Sequence, residues 1–268
     1  MAEPRIVTFT TDFGLSDAFV GIMHGVVLNI HSETRIVDIS HAIASYDVLE
    51  GAWTIAQACR YFPPSTVHVV VVDPGVGSTR RPILAETDDH VFIAPDNGVL
   101  SMVEAREPKF TVRHITADRY FLNPVSQTFH GRDVFAPVAG WLSKGIDPAE
   151  FGPEISDHLR LPLPTVLRIG DKSLRGTVVK VDKFGNLITN IGEQEAPELF
   201  ASSPPSVNIL ISGETLTRLY HSYAEGDASE YFGIIGSSGY LEIAAKQTSA
   251  AAKLRAGVGS PVGVVLGG

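Results

Sequence analysis

Residues 67–80 read VHVVVVDPGVGSTR. The run of β-branched residues predicts a strand over 67–72, and the proline and glycines that follow end it abruptly. The strand therefore stops at an acidic residue, Asp73, in a tight turn. Arg80 lies seven residues later and can fold its guanidinium back onto that carboxylate. Two interpretations fit this turn: a strand end with a surface ion pair, or a catalytic acid kept ionised by an arginine.

Strand and helix patterns alternate on both sides of this turn. Apolar residues recur with helical spacing in three stretches, with Ser16 as a predicted N-cap and Asp47 with Glu50 spaced as a capping box. Strands are predicted over 5–10, 35–39, 67–72 and 91–94, and helices over 17–30, 47–61 and 133–144. This alternation predicts an α/β N-terminal domain with a mainly parallel central sheet.

The pattern changes near residues 152–166, where three prolines punctuate a predicted linker. Beyond it, apolar residues alternate with period two in short segments joined by turns, which is typical of antiparallel strands. The segments are 174–181, 187–191, 207–212, 239–244 and 262–266, with a single helix predicted over 249–255. We therefore expect two domains: an α/β domain over residues 1–160, and a small all-β antiparallel barrel over residues 161–268.

Composition narrows the class of protein. The net charge of −9 argues against a nucleic-acid or anionic-membrane partner, since both require basic patches. The single cysteine, Cys59, rules out an intrachain disulfide and lies in an apolar helical stretch, so we expect it to pack in the core. No apolar run approaches the ~20 residues of a membrane helix, and no signal peptide is recognisable. These features predict a cytoplasmic protein.

Four further motifs could carry chemistry. Asp12 follows the first strand, where ligands of parallel sheets bind, and could either hold a ribose diol or cap a helix. His130 precedes a helix that Asp133 could cap. Turns at 96–98 and 182–186 have ordinary turn composition, although Phe184 in the second could stack on a ring.

Several common sites are excluded by spacing. The turn after the first strand lacks the G-x-G-x-x-G dinucleotide fingerprint, and no G-x-x-x-x-G-K-[ST] phosphate loop or G-x-S-x-G elbow occurs. The nine histidines show neither H-x-x-x-H nor H-E-x-x-H spacing. Asp12, Asp73 and His130 are an alternative carboxylate-rich metal site, but nothing in their spacing requires one, so no metal site is predicted.

Taken together and in order, six segments resemble one family across nearly the whole chain: TTDFGLSDAFVG, VVDPGVGSTRR, APDNGVLS, TFHGRDVFAPVA, DKFGNLITNI and GSSGYLEIA. This family is the S-adenosylmethionine (SAM) hydroxide adenosyltransferases, relatives of the SAM-dependent fluorinase and chlorinase. The resemblance implies hydrolysis of SAM to adenosine and L-methionine without a cofactor or metal. It also implies a homotrimer whose active site lies between the N-terminal domain of one subunit and the C-terminal domain of the next.

The resemblance also implies roles for individual residues. Asp73, Arg80 and His130 match the family's catalytic set, which would orient and activate a water for in-line attack on the ribose C5′. Substrate contacts are implied for Asp12 (ribose hydroxyls), Tyr46 (stacking near the substrate), Phe129 (ribose pocket), Asp182 and Asn186 (methionine head group), Phe184 (adenine), and Ser237 with Glu242 (methionine and adenine).

One departure from the family and three alternatives complete the expectations. The family commonly has a large side chain where this chain has Ser238, which changes the adenine or methionine end of the pocket. A halogenase of the chlorinase type is one alternative, although a carboxylate at Asp73 would repel a halide. The others are a SAM-binding protein without catalysis, and a hydrolase acting on another nucleoside.

Overall fold

The computed structural model describes residues 6–201, 206–227 and 230–267. The chain divides into two compact units, Met1–Leu163 and Pro164–Gly268. Within the described ranges, no helix combines the length and the apolar character that crossing a bilayer requires.

Unit 1 contains seven strands and four α-helices among its described residues, with three short 3-10 turns and a π-helix over Gly131–Phe135. The strands are β1 (Ile6–Thr11), β2 (Arg35–Ser40), β3 (Val67–Val71), β4 (Pro82–Glu86), β5 (Val91–Pro95), β6 (Thr111–His114) and β7 (Glu154–Ile155). The α-helices are α1 (Phe19–Ile30), α2 (Val48–Ala58), α3 (Ser101–Glu104) and α4 (Ala136–Ser143).

The seven strands form one sheet in the order β2-β1-β3-β5-β4-β6-β7. The pairs β1–β2, β1–β3 and β3–β5 are parallel, whereas β4–β5, β4–β6 and β6–β7 are antiparallel. The prediction of a mainly parallel sheet is therefore wrong: the sheet is mixed. Only residues 87–90 join β4 to β5, which is too short for a parallel crossover and leaves an antiparallel hairpin.

The strand order creates a switch point between β1 and β3. The chain leaves β1 through α1 towards β2, then returns through α2 to β3 on the other side of β1. Right-handed crossovers in opposite directions place α1 and α2 on opposite faces of the sheet. The carboxyl ends of β1 and β3 therefore flank a crevice, which is where open α/β sheets bind ligands.

The N-terminal caps of helices α1 and α2 differ from those predicted from the sequence. Helix α1 begins at Phe19 after Ala18, without a side-chain cap, so the predicted capping by Ser16 is wrong. Asp47 does cap α2, accepting from the Glu50 backbone N–H at 2.9 Å. The Glu50 carboxylate accepts instead from the backbone N–H of Ala44, so the capping box is one-sided.

The central strand β3 is buried along its whole length even though it contains a histidine. The Nδ1 atom of His68 lies 2.7 Å from the Thr8 hydroxyl, and its ring stacks on Phe92. Burial lowers the pKa of His68 to about 3, so the ring is neutral and packs as an aromatic residue.

Unit 2 is built from nine strands, one short α-helix and one 3-10 turn (Pro197–Phe200) among its described residues. They are β8 (Leu167–Ile169), β9 (Ser173–Val181), β10 (Leu187–Gly192), β11 (Val207–Ile211), β12 (Glu214–Leu216), β13 (Leu219–Tyr220), β14 (Tyr231–Ile235), β15 (Tyr240–Ala245), α5 (Ala250–Leu254) and β16 (Pro261–Leu266).

The unit 2 strands pair in the order β12-β11-β16-β9-β10-β15-β14-β13, with β8 added beside β9. All pairs are antiparallel except β13–β14. The predicted antiparallel barrel is therefore correct only in part, because the described strands form an open half-barrel with one parallel pair. Its apolar faces, including Leu187, Ile209 and Ile243, enclose the main core, and a smaller cluster forms around Phe232.

Cys59 follows α2 and is buried, as predicted, with 5% of its surface exposed. Burial, together with the nearby charge of Glu107, raises the pKa of its thiol. The thiol is thus a small core residue with little thiolate character.

Candidate functional site

Asp73 and Arg80 form a buried ion pair at the carboxyl end of β3. The Arg80 Nε donates to Asp73 Oδ1 at 2.9 Å, and Arg80 Nη2 donates to Asp73 Oδ2. Only 5% of the Asp73 side chain and 8% of the Arg80 side chain are exposed. This burial excludes the surface ion pair that was one interpretation of the turn, because the pair is fork-shaped and shielded from water.

Arg80 also connects this pair to His130. Its Nη2 donates to His130 Nδ1 at 2.7 Å, and its guanidinium lies 5.2 Å from the centroid of the Phe135 ring. The remaining nitrogen, Nη1, is buried and has no hydrogen-bond partner among the described residues. A buried guanidinium N–H without an acceptor is costly, so this atom is available to a ligand oxygen.

Burial and the contact with Arg80 both favour the neutral form of His130. Burial lowers its pKa below the usual 6.5, and the neighbouring Arg80 charge lowers it further, against the opposing effect of Asp73. Because arginine can only donate, His130 Nδ1 must accept, and the proton of the neutral ring lies on Nε2. His130 therefore offers an N–H donor at Nε2.

Gly77 allows the 73–80 turn to reach the segment that carries His130. Its φ is +77°, and a Cβ at this position would lie 2.3 Å from the carbonyl oxygen of Gln127. No other residue type fits both conditions without moving one of the two segments. Glycine here is therefore a condition for the contact between Arg80 and His130.

The segment after His130 winds as a π-helix before α4 begins. Asp133 lies inside this helix, so the expectation that it caps a helix is wrong. Its buried carboxylate accepts from the Ser126 backbone N–H at 2.8 Å and from Arg132. These bonds tie the two ends of the 126–133 loop together. Pro137 lies in the first turn of the helix that follows, α4.

The turn at 96–98 supports the end of β3 from the other side. Asn97 Nδ2 donates to the Val72 carbonyl at 2.8 Å, and Asp96 accepts from Arg81. The ordinary turn interpretation of this motif is confirmed, and its side chains hold the strand end in place.

Asp12 lies at the carboxyl end of β1, beside the end of β3. Its Oδ2 accepts from the Tyr46 backbone N–H at 2.8 Å, so Asp12 caps no helix. Tyr46 has φ +69°, which is unusual for a bulky residue, and the residue is 72% exposed. Asp12 thus holds Tyr46 in a strained conformation with its ring presented to solvent.

Phe129 belongs to an aromatic cluster beside this edge of the sheet. Its ring packs edge-on against Phe13 and Phe19, with centroids 6.0 and 5.1 Å apart. Arg132 covers the same ring at 5.4 Å. The cluster forms an apolar wall next to His130.

In unit 2, all five sequence-predicted residues line a single cavity of about 940 Å³. These residues are Asp182, Phe184, Asn186, Ser237 and Glu242. The cavity is large enough for a small-molecule ligand, and it combines an exposed aromatic ring with carboxylates and an amide.

The 182–186 turn positions three of these side chains. Asp182 Oδ1 accepts from the backbone N–H groups of Phe184 and Asn186 at 2.9 and 2.8 Å, and Asp182 Oδ2 accepts from Asn186 Nδ2. Gly185 has φ +84° and packs against Ser249. Asp182 is thus an Asx-turn residue that also orients Asn186, while the Phe184 side chain is left exposed.

Glu242 is buried at the other side of the cavity and pairs with a residue that the sequence patterns missed. Tyr223 Oη lies 3.0 Å from Glu242 Oε2. Burial raises the pKa of Glu242, and burial together with the Glu242 charge raises the pKa of Tyr223 to about 12. Tyr223 occurs in an irregular segment, so no periodicity marked it, and only its position next to Glu242 identifies it.

The 236–239 turn between β14 and β15 completes the cavity. A Cβ on Gly236 would lie 1.7 Å from Glu242 Oε1, so this glycine makes room for the carboxylate. Ser238, where the chain departs from the family, has a buried hydroxyl with no partner among the described residues. Ser238 therefore places a small polar side chain in the cavity wall, where the family commonly has a large one.

Both units of the chain match domains of one known protein family. Residues 7–152 match the family described as SAM hydroxide adenosyltransferase N-terminal domain, and residues 176–263 match its C-terminal domain. A protein of Salinispora tropica named (R)-S-adenosyl-L-methionine hydrolase is 42% identical over 190 residues, covering 70% of this chain and 72% of the relative.

Longer matches agree with these. A protein of the same name from Thermus thermophilus is 32% identical over 267 residues, which is 96% of this chain and 98% of the relative. A fluorinase of Nocardia brasiliensis is 26% identical over 290 residues, covering 97% of both. The crystal structure of an uncharacterized conserved protein from Thermotoga maritima superposes with a TM-score of 0.90 at 32% identity, covering 97% of this chain and 99% of that one.

Proposed function

Because the chain belongs to the SAM hydroxide adenosyltransferase family, we propose that it hydrolyses SAM to adenosine and L-methionine. The relatives from S. tropica and T. thermophilus are named for the (R) form of the substrate, and we extend this preference for the sulfur epimer to the present chain. The observation that carries the proposal is the buried chain of hydrogen bonds from Asp73 through Arg80 to His130.

The proposed reaction is an in-line displacement at the ribose C5′. A water oxygen forms a bond to C5′ while the C5′–S bond breaks, and the electron pair of that bond stays on sulfur, so methionine leaves as a neutral thioether. The leaving group needs no general acid. Catalysis must therefore activate the water, which is a weak nucleophile and has to lose a proton during the reaction. We assign its acceptance to Asp73, which has lone pairs beyond the two contacts with Arg80.

The other two residues of the set position and stabilise the nucleophile in this scheme. The unpartnered Arg80 Nη1 is suited to hold the water oxygen as negative charge develops on it. His130 donates from Nε2 and stays neutral, which keeps a second positive charge away from the cationic substrate. A carboxylate at position 73 disfavours a halide in the same place, so the proposal favours hydrolysis over halogenation.

We propose that Asp12, Tyr46 and Phe129 hold the ribose. The Asp12 carboxylate keeps lone pairs free for a pair of hydroxyls beyond its bond to Tyr46. Tyr46 and the Phe129 wall supply the apolar contacts that exclude other solvent from C5′.

For the methionine and adenine ends, we propose the cavity of unit 2. Asp182 and the buried Glu242 give it negative character, which suits an α-ammonium group and a sulfonium. Asn186 suits the methionine carboxylate, and Phe184 supplies a face for the purine. Ser237 and the free hydroxyl of Ser238 add polar contacts at the same end.

A product assay tests the proposal. Purified protein is incubated with each sulfur epimer of SAM separately, with and without chloride, and the products are separated by chromatography. We expect equal amounts of adenosine and methionine, formed faster from the (R) epimer and independent of chloride. A halogenated nucleoside would instead indicate a halogenase, and tight retention of unreacted SAM would indicate a binding protein.

We also propose that the active unit is a homotrimer whose site combines unit 1 of one subunit with unit 2 of the next. Subunit mixing tests this arrangement. The Asp73→Asn and Asn186→Ala variants are each expected to be inactive, but a mixture refolded together should regain activity, because some sites then pair two intact halves. No recovery, with trimers present by light scattering, would place both halves in one subunit. A cytoplasmic location belongs to the same proposal and is supported by the lack of disulfide-forming cysteines.

A further inference from the structure

A second polar cluster in unit 1 lies outside the proposed catalytic set. It consists of His24 on α1, Asp38 on β2 and His41 just after β2. One ligand atom from each lies within 4.8 Å of the others. Asp38 Oδ1 is 2.9 Å from His24 Nε2 and 3.0 Å from His41 Nε2. Two imidazoles thus converge on one carboxylate.

His41 is held in the manner of a metal-binding histidine. Its side chain is 4% exposed, and Nδ1 lies 2.9 Å from the Thr11 hydroxyl. Its Nε2 makes no properly directed hydrogen bond within the described residues, despite its short distance to Asp38. When Nδ1 donates to Thr11, a lone pair of Nε2 faces a carboxylate oxygen, and this arrangement is repulsive unless a cation binds between them.

The two nitrogen–oxygen distances fit a first-row transition ion after a small adjustment. Zinc binds imidazole nitrogen at about 2.0–2.1 Å and carboxylate oxygen at about 2.0–2.2 Å, so tetrahedral ligands lie about 3.3 Å apart. The observed nitrogen–oxygen separations are a few tenths of an ångström shorter. Small side-chain rotations open them, since Asp38 is 40% exposed and His24 25% exposed.

From this geometry we propose that His24, Asp38 and His41 bind a divalent transition-metal ion such as Zn²⁺. Two imidazoles and one carboxylate favour Zn²⁺ and its neighbours over Mg²⁺ or Ca²⁺, which prefer oxygen ligands. The exposed side of the cluster leaves a fourth position for water and an entry path for the ion.

The ion would be linked to the ligand-binding edge of the sheet. Thr11 directly precedes Asp12, and the His41 carbonyl accepts from the Gly14 backbone N–H at 2.8 Å. Metal binding would therefore tie the loop after β1 to the end of β2. The role proposed is positioning and stabilisation, and the site itself does not depend on the proposed reaction.

Direct binding tests the site. Tag-free protein is stripped with a chelator, and Zn²⁺ binding is measured by calorimetry, with Co²⁺ absorption spectra as a report of coordination geometry. We expect one ion per chain and a tetrahedral Co²⁺ spectrum. The His24→Gln, Asp38→Asn and His41→Gln variants should each bind Zn²⁺ at least about tenfold more weakly.

Two further variants separate this site from adventitious binding. His221→Gln, which changes an exposed histidine of unit 2, should bind Zn²⁺ like the original chain. Thr11→Val should weaken binding by about 10- to 100-fold through loss of the Nδ1 partner. His24 lies on a partly exposed helix face, so His24→Gln should fold. The inference is overturned if His24→Gln and Asp38→Asn retain full affinity, or if the original chain binds no Zn²⁺.

Discussion

Replacing Asp73 with asparagine separates the catalytic from the structural role of the buried ion pair. The variant keeps the size of the Asp73 side chain but leaves Arg80, whose side chain is 8% exposed, without its anionic partner. An unpaired buried charge costs about 3–5 kcal/mol. For a unit of this size, each kcal/mol lowers Tm by about 2–4 °C, so we expect a decrease of about 6–20 °C. Loss of the proton acceptor should lower kcat by about 10²–10⁴, or about 2.7–5.4 kcal/mol in the barrier.

The double variant Asp73→Asn with Arg80→Gln is the decisive control. It removes both buried charges, so thermal unfolding should return most of the way towards the original Tm. Adenosine formation, measured at a temperature well below every Tm, should stay as low as in the single variant. If recovery of stability restored kcat, the pair would be structural only, and the assignment of Asp73 as proton acceptor would be refuted.

Three further predictions concern the surrounding structure. Gly77→Ala should lower the free energy of unfolding in urea by about 1–3 kcal/mol and reduce kcat, because of its positive φ and the clash of a Cβ with a backbone carbonyl. Gly145→Ala, also at positive φ but in open space, is the matched control and should leave kcat unchanged. On acidification kcat/KM should fall with a midpoint below pH 6.5, because burial and the Arg80 charge lower the pKa of His130 from its usual 6.5; a midpoint above 6.5 would contradict the neutral assignment. Tyr223→Phe should raise KM about 10- to 100-fold with little change in kcat, because the buried Glu242 carboxyl loses its hydrogen bond from the Tyr223 hydroxyl; an unchanged KM would remove Tyr223 from the site.

The sequence alone was sufficient to predict the strands and helices whose apolar residues follow a strong periodicity. The buried strand β3 and helix α2 lie within two or three residues of their predicted bounds. Strong β-branched runs and side-chain caps are local properties, so they survive in the folded chain. The α/β character of unit 1 followed from them.

The direction of the outer strands could not be obtained in this way. Strand β4 is a five-residue segment that begins with proline directly after the 73–81 turn, and β6 contains two basic or titratable residues among four. Neither shows a clear alternation, so both were missed, and with them the antiparallel half of the sheet. Pairing direction depends on which strands lie beside each other, which is a property of the whole fold.

The candidate site likewise has features that could be predicted from the sequence and features that required the structure. The resemblance to the family was enough to predict that Asp73, Arg80 and His130 act as one set, although 50 residues separate the last two. Hydrogen-bond direction, which makes His130 a donor, required coordinates. Tyr223 and the His24–Asp38–His41 cluster were missed because their partners lie on different elements with no characteristic spacing.

The burial of Cys59 has a practical consequence for labelling. With its thiol enclosed and its pKa raised, the chain offers maleimide reagents little reactive sulfur at neutral pH. A cysteine introduced at an exposed position would thus be modified selectively, without removal of the natural one. A fluorophore attached in this way would follow ligand arrival in real time on otherwise unaltered protein.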